Sequence, residues 1–250
     1  MLIDSHCHIH DLQFYPDNRE EVYDRAIEAD VGMILAGTSE VDSREAVRFA
    51  QTHKDVWAVI GVHPHDTKDG WQDIGRLLAE RPTDVVGIGE IGLDYFYNHS
   101  PRDTQISALE EQLQWAVDYD LPVSFHVREA FDDFWAIFDN FHTIRGVLHS
   151  FTDTKGTLER ALERGLYIGV NGISTFTKDT HQQEMFRSIP AGKILLETDA
   201  PFLTPKPFRG KMNEPAFVKL VAEYHAGLRG IAVDDMSQVT TANARALFAL

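Results

Sequence analysis

Eight short apolar runs recur along the chain, and their spacing constrains the fold more than any other feature. They are Leu2–His6, Gly32–Thr38, Trp57–His63, Val85–Glu90, Pro122–His126, Gly146–His149, Leu166–Asn171 and Ile194–Asp199. Their starts lie roughly 27 residues apart, room for one strand, one helix and two short loops, the unit from which parallel sheets are built. The segments between them carry helical signals. In Gln105–Val117 the apolar residues Ile106, Leu109, Leu113, Ala116 and Val117 return at 3.6-residue spacing, and Arg19–Ala29 and Leu158–Arg164 are charge-rich stretches of the same kind. The runs are apolar at almost every position, as strands buried on both faces are. Eight such units in 250 residues predict an α/β chain folded as a TIM-type (β/α)8 barrel, a single domain over 1–250. The competing architecture, a doubly wound open sheet, calls for a glycine-rich first turn. Here that turn reads His6-Cys7-His8-Ile9-His10.

Composition removes several classes. The only cysteine, Cys7, has no partner for an intramolecular disulfide. The longest uncharged apolar runs, such as Val31–Thr38 and Val56–Val62, fall far short of the ~18 residues of a membrane span. No basic stretch followed by an apolar one opens the chain, so a cytoplasmic protein without signal peptide or membrane attachment is expected. No obligate protein partner is expected. The net charge of −16 disfavours a broad basic face that reads duplex DNA. It leaves room for an enzyme that grips a few phosphates through metal ions and local cations.

Twelve histidines are more than a core needs, and their positions carry the functional argument. Polar residues gather at the ends of the predicted strands: His6-Cys7-His8, His63-Pro64-His65, Gly89-Glu90, His126-Val127-Arg128, His149-Ser150 and Thr198-Asp199. In a barrel these ends open on one rim, where active sites lie. Side chains alternate along a strand, so His6 and His8 share a face and Cys7 points away, toward packing. One buried histidine is usually a hydrogen-bonded core residue. Four strand-terminal histidines with Glu90 and Asp199 would cost several kcal/mol each if left unpaired. They exceed one tetrahedral zinc and fit two ions sharing a carboxylate.

At these residues the sequence resembles a family. The stretches Asp4-Ser5-His6-Cys7-His8, Gly61-Val62-His63-Pro64, Gly89-Glu90-Ile91-Gly92-Leu93-Asp94, His126-Val127-Arg128, His149-Ser150-Phe151, Glu197-Thr198-Asp199-Ala200-Pro201 and Asn213-Glu214-Pro215 resemble the TatD-type metal-dependent hydrolases of the amidohydrolase superfamily. The likeness runs from Ile3 through Asn243-Ala244-Arg245. It implies a two-metal phosphodiesterase, several members being deoxyribonucleases acting on DNA ends. Carried over position by position, it makes His6, His8, Glu90, His126, His149 and Asp199 the metal ligands. Met212, where members often carry arginine, and Thr152-Asp153-Thr154, in place of a glycine-containing stretch, depart from the pattern in substrate-facing loops.

The resemblance implies two divalent ions (Zn, Mn or Mg). One is held by His6, His8, Glu90 and Asp199, the other by Glu90, His126 and His149, with Glu90 as bridge and a hydroxide between the ions as nucleophile. Asp199 is the expected base or orienter of that water. His63 either holds a phosphate oxygen, protonates the leaving group or is structural. Asp4 and Glu197 are candidates to fix histidine tautomers. Lys206, Arg209 and Lys211, against Glu214 alone, make a locally basic loop suited to a phosphate, and Arg128 shares the face of His126. The aromatic run Tyr95-Phe96-Tyr97 suits base stacking or rim packing. Expected substrates are DNA ends or single-stranded nucleic acid. Carboxylic esters, lactones, amides or aminoacyl esters are the alternative, and a non-catalytic metal-binding scaffold is the third reading.

Overall fold

The computed structural model describes residues 1–97 and 99–250. Its strands are β1 Leu2–Cys7, β2 Val31–Ala36, β3 Val56–Ile60, β4 Val85–Asp94, β5 Val123–Arg128, β6 Gly146–Leu148, β7 Tyr167–Val170 and β8 Ile194–Leu196. The helices are α1 Arg19–Glu28, α2 Glu40–Thr52, α3 Gln72–Ala79, α4 Arg102–Asp118, α5 Phe131–Phe138, α6 Lys155–Glu163, α7 Ile173–Phe176, α8 Thr180–Ser188, α9 Val218–Arg229 and α10 Val233–Phe248. The strands follow one another in sequence order in an eight-stranded sheet, the order of the TIM-type barrel. Among the described residues no helix is long and apolar enough to cross a membrane.

The chain forms two compact units, Met1–Leu35 with His149–Leu250, and Ala36–Leu148. In the second, β3 to β6 pair in parallel, with Ile60 opposite Ile88, Gly92 opposite His126 and Phe125 opposite Leu148. Helix α2 starts where Ser39 accepts a hydrogen bond from the Asp42 amide, and it buries Ala46, Val47, Phe49 and Ala50. Helix α4 corrects the expected stripe. Ile106 is only half-buried and Val117 is exposed, while Gln105 and Gln112 are buried beside Leu109 and Leu113. Each glutamine is satisfied by main chain. Gln112 accepts from Val62 N and donates to Val62 O, and Gln105 does the same with Asp94. The helix thus clamps the ends of the strands it covers, a use of polar groups that apolar periodicity does not reveal.

In the unit of Met1–Leu35 and His149–Leu250, β1 pairs with β2 and β7 with β8, all parallel. β1 and β8 are tied by Ser5 Oγ donating to Leu196 O at 3.1 Å and by Asp199 N donating to His6 O at 2.9 Å. Helix α10 buries Met236, Ala244, Leu247 and Phe248, and Asn243 Nδ2 donates to Ala191 O and Ile194 O at the entry to β8.

All eight expected strands form, with shifted ends. β4 runs to Asp94, four residues beyond Glu90. His63, His149 and Asp199 fall past the ends of β3, β6 and β8, outside the strands. Ser150 and Asp199 have φ of 49° and 57°, left-handed values that end an extended strand.

Candidate metal centre

Each unit gathers part of the expected ligand set. In the unit of β1, β7 and β8, His6 near the end of β1 and His8 just beyond it both face Asp199. His8 Nε2 lies 3.4 Å and His6 Nε2 3.9 Å from Asp199 Oδ1. The His149 ring stacks on His6, centroids 3.7 Å apart at 16°. Ligating atoms of His6, His149 and Asp199 lie within 4.8 Å of one another. Burial opposes ionisation of Asp199, but the hydrogen bond from His8 and the nearby His149 and His6 outweigh it and hold the carboxyl below its ordinary range.

A second carboxylate fixes the direction of His149. Glu197 Oε1 accepts hydrogen bonds from His149 Nδ1 at 3.1 Å, Ser150 N at 2.7 Å and Asn171 Nδ2 at 3.2 Å. With its proton spent there, His149 presents Nε2 as the ligating nitrogen, the arrangement that orients metal-bound histidines. A Cβ on Gly169 would lie 2.4 Å from Glu197 Oε2, so glycine is needed for the carboxylate to seat. Asp4 acts differently from the expectation. Among the described residues it bonds no imidazole, accepting instead from Thr198 N and Oγ1 and, at 3.3 Å, from His6 N. Burial pushes its carboxyl well up, against those bonds. Cys7 is buried, its Sγ 3.8 Å from Ile34 O, in the packing role expected.

Asn213 supports the turn that carries Asp199. Its buried Nδ2 donates to Thr198 O at 2.8 Å and Phe202 O at 2.6 Å, and Tyr15 Oη donates to Asn213 O at 2.7 Å.

In the unit of β3 to β6, His126 stands between two carboxylates. Its Nδ1 is 3.0 Å from Glu90 Oε1 and its Nε2 is 2.9 Å from Asp94 Oδ2. Asp94 repeats the role of Glu197. It fixes His126 through Nε2 and leaves Nδ1 on the side of Glu90. The same Oδ2 accepts His65 Nε2 at 2.9 Å, while Oδ1 accepts Phe96 N and Tyr97 N at 3.0 and 2.9 Å. Burial opposes ionisation of Asp94, yet the bonds from His126 and His65 hold its carboxyl well below the usual range. A Cβ on Gly92 would lie 1.8 Å from His126 O, so only glycine fits between Glu90 and Asp94. Sequence reading left Asp94 and Asn171 without roles. The signal for Asp94 was present, since Glu90, Gly92 and Asp94 share one face at a period of two.

His63 lies outside the expected ligands. Its Nδ1 accepts from His65 N at 3.1 Å, so the neutral ring carries its proton on Nε2, which faces Glu90 Oε1 at 3.6 Å. Burial, then the neighbouring His126, keeps His63 well below the ordinary imidazole range.

Three of the four expected substrate cations lie over aromatic rings. The Arg128 guanidinium sits 3.9 Å from the Phe96 ring centroid and 4.8 Å from that of Tyr97. Arg209 stacks on Phe176 at 3.7 Å and donates to Thr204 O, and Lys211 lies over Phe208 at 5.3 Å. Lys206 is exposed, its amide bonded to Thr175 Oγ1.

Imidazole nitrogens and carboxylate oxygens, with the lone thiol turned into packing, fit a borderline or hard divalent ion. Comparison with known proteins agrees. Residues 3–249 match the family of TatD related DNases. A Bacillus subtilis protein called uncharacterized metal-dependent hydrolase YabD is 34% identical, over 99% of this chain and 99% of its own. The 3'-5' ssDNA/RNA exonuclease TatD of Erwinia amylovora is 38% identical over the whole of both chains. The crystal structure of YJJV, a TatD homologue from Escherichia coli, superposes with a TM-score of 0.92 at 29% identity, covering 100% of this chain and 98% of that one. The fold and its histidine–carboxylate clusters are those of a metal-dependent hydrolase. The chain belongs to the TatD related DNase family.

Proposed function

We propose that the protein, acting as one catalytic domain over residues 1–250, is an exonuclease of single-stranded nucleic acid that uses two divalent ions. The observation that carries this reading is the recurrence of one device. In each unit a buried carboxylate, Glu197 or Asp94, fixes a histidine of the expected ligand set. The full-length likeness to relatives named as 3'-5' ssDNA/RNA exonucleases supports the substrate class.

In this reading His6, His8 and Asp199 hold one ion, His126 and His149 the other, and Glu90 serves both. Bound divalent ions lower the pKa of water and neutralise charge on a phosphodiester. The chain's own residues do the rest. Asp199, kept ionised by His8, orients the attacking water and accepts its proton. His63 offers its Nε2 proton to a phosphate oxygen, a role its hydrogen-bonded tautomer suits. Arg128 provides fixed positive charge in a chain of net −16.

The test is a substrate panel of single-stranded DNA, RNA, aryl phosphodiester, carboxylic ester and lactone, each assayed with Zn, Mn and Mg and with EDTA. Metal-dependent shortening of single strands from an end is expected. Turnover of carbonyl esters alone would move the protein to the ester-hydrolase reading.

A further inference from the structure

The loop after β4 presents two large rings to solvent, Phe96 at 49% and Tyr97 at 43% exposed. Exposed aromatics on a loop usually fold back onto apolar neighbours. Tyr97 packs on imidazoles, edge to face with His65 at 5.5 Å and stacked with His99 at 5.6 Å, and Phe96 packs on Tyr97, yet both keep much of their surface exposed. Both backbone amides are anchored on Asp94 Oδ1, the carboxylate whose other oxygen fixes His126. The rings meet edge to face, centroids 4.7 Å apart at 89°, and form a corner. Arg128 fills that corner from β5, two residues beyond His126. Among the described residues no carboxylate pairs with it. One face of Phe96 is covered by the guanidinium, and the residue still keeps 49% of its surface exposed.

We infer that Phe96, Tyr97 and Arg128 form a seat for one nucleotide of the substrate. An unpaired base lies against the Phe96 ring, and the adjoining phosphate meets Arg128. The inference rests on the single-strand reading above and gives it a location. Three properties select this ligand. A flat ring face accepts a base only when the base is unstacked and unpaired, as in a single strand. A guanidinium already packed on two rings has little conformational freedom left to lose when it binds a phosphate oxygen. In a chain of net −16 a cation without an acidic partner is a local anchor for an anion. The seat is tied through Asp94 to a histidine of the metal centre, so a nucleotide held there lies at a fixed distance from the scissile bond.

The test uses the intact, metal-loaded enzyme and short single-stranded oligodeoxynucleotides. Each carries one abasic residue, at the terminal, second or third nucleotide from the cleaved end. For wild type, removal of the base at one of these positions should lower kcat/KM about 10-fold or more, the cost of one lost stack. Phe96→Ala should lower kcat/KM on the unmodified strand by a similar factor, mostly through KM, and be indifferent to base removal at that position. Phe96→Trp should restore the sensitivity. Arg128→Lys, which keeps charge but not the planar stack, should also raise KM. If Phe96→Ala cuts the unmodified strand as wild type does, or loses the same factor whichever base is absent, the seat is overturned while the exonuclease reading stands. If wild type shortens no oligonucleotide under any metal, the exonuclease reading itself fails and the seat with it.

Discussion

His149 Nδ1–H donates a hydrogen bond to Glu197 Oε1 at 3.1 Å, and that bond leaves only Nε2 for a metal ion. Glu197 is held in turn by Ser150 N and Asn171 Nδ2. Glu197→Gln keeps the shape but removes the charge that supports the imidazole. Apparent zinc affinity should fall about 10- to 100-fold at one of two sites, as for other loss of such partners. Titration against a chromophoric chelator reads it directly. Wild-type affinity at both sites would show that Glu197 does not support a ligand.

Glu90 is the carboxylate expected to serve both ions. Glu90→Gln should cost at least one ion per chain by elemental analysis and about 10²-fold or more in rate, the scale of losing one preorganised electrostatic group. The fold should persist, since Glu90 lies toward the end of β4, beyond the Ile88 layer. Normal metal content and turnover would falsify the shared-ligand assignment.

His225, which is not among the expected metal ligands, predicts a pH dependence of stability. Arg229 Nη1 donates to its Nδ1 at 2.9 Å, and its Nε2 lies 3.0 Å from Ser174 Oγ, which itself donates to Asn171 O. Burial, then the charge of Arg229, lowers its pKa to about 3. The unfolded chain takes up this proton near pH ~6.5 and the folded chain does not, so stability falls as pH drops from there toward 3. At pH 5 this group alone should cost about 2 kcal/mol relative to pH 7. Urea midpoints at the two pH values measure the loss. His225→Gln should show less of it, and an equal loss in the variant would assign the effect elsewhere.

Asn213→Ala removes both hydrogen bonds that tie Thr198 O and Phe202 O around Asp199. The buried Thr198 carbonyl left without this donor, with the part-buried Phe202 carbonyl beside it, should cost about 1–3 kcal/mol. The denaturation midpoint should drop accordingly, with activity falling further than stability explains because Asp199 loses its support. A change below ~0.5 kcal/mol would mean that water or a shifted turn replaces the amide.

The strand repeat was legible because apolar runs and βα spacing are dictated by burial on both faces, which composition along the chain records directly. That His6 and His8 share a face was legible from strand alternation, while the carboxylate they both meet, Asp199, was not. Strand ends were less legible. The left-handed backbone at Ser150 and Asp199 is a property of the turn, and neither residue type announces it. The buried glutamines of α4 were hidden for another reason. Their partners, Val62 and Asp94, are brought to them by the fold, and long polar side chains read in sequence as solvent-facing. Asp94 and Asn171 belong to the same class of residue: each is defined by what it holds, and the held group is distant in sequence.

Gly92 and Gly169 set a limit on how this protein can diversify. One leaves no room for a methyl against the His126 carbonyl, the other none against Glu197. Each histidine–carboxylate pair is thus guarded by a position that accepts no side chain, and single substitutions there give lineages nothing intermediate to select. The exposed side chains Phe96 and Tyr97 on one unit and Phe202 and Met212 on the other carry no such restriction. A library aimed at new substrates belongs at those four positions, with both glycines kept constant.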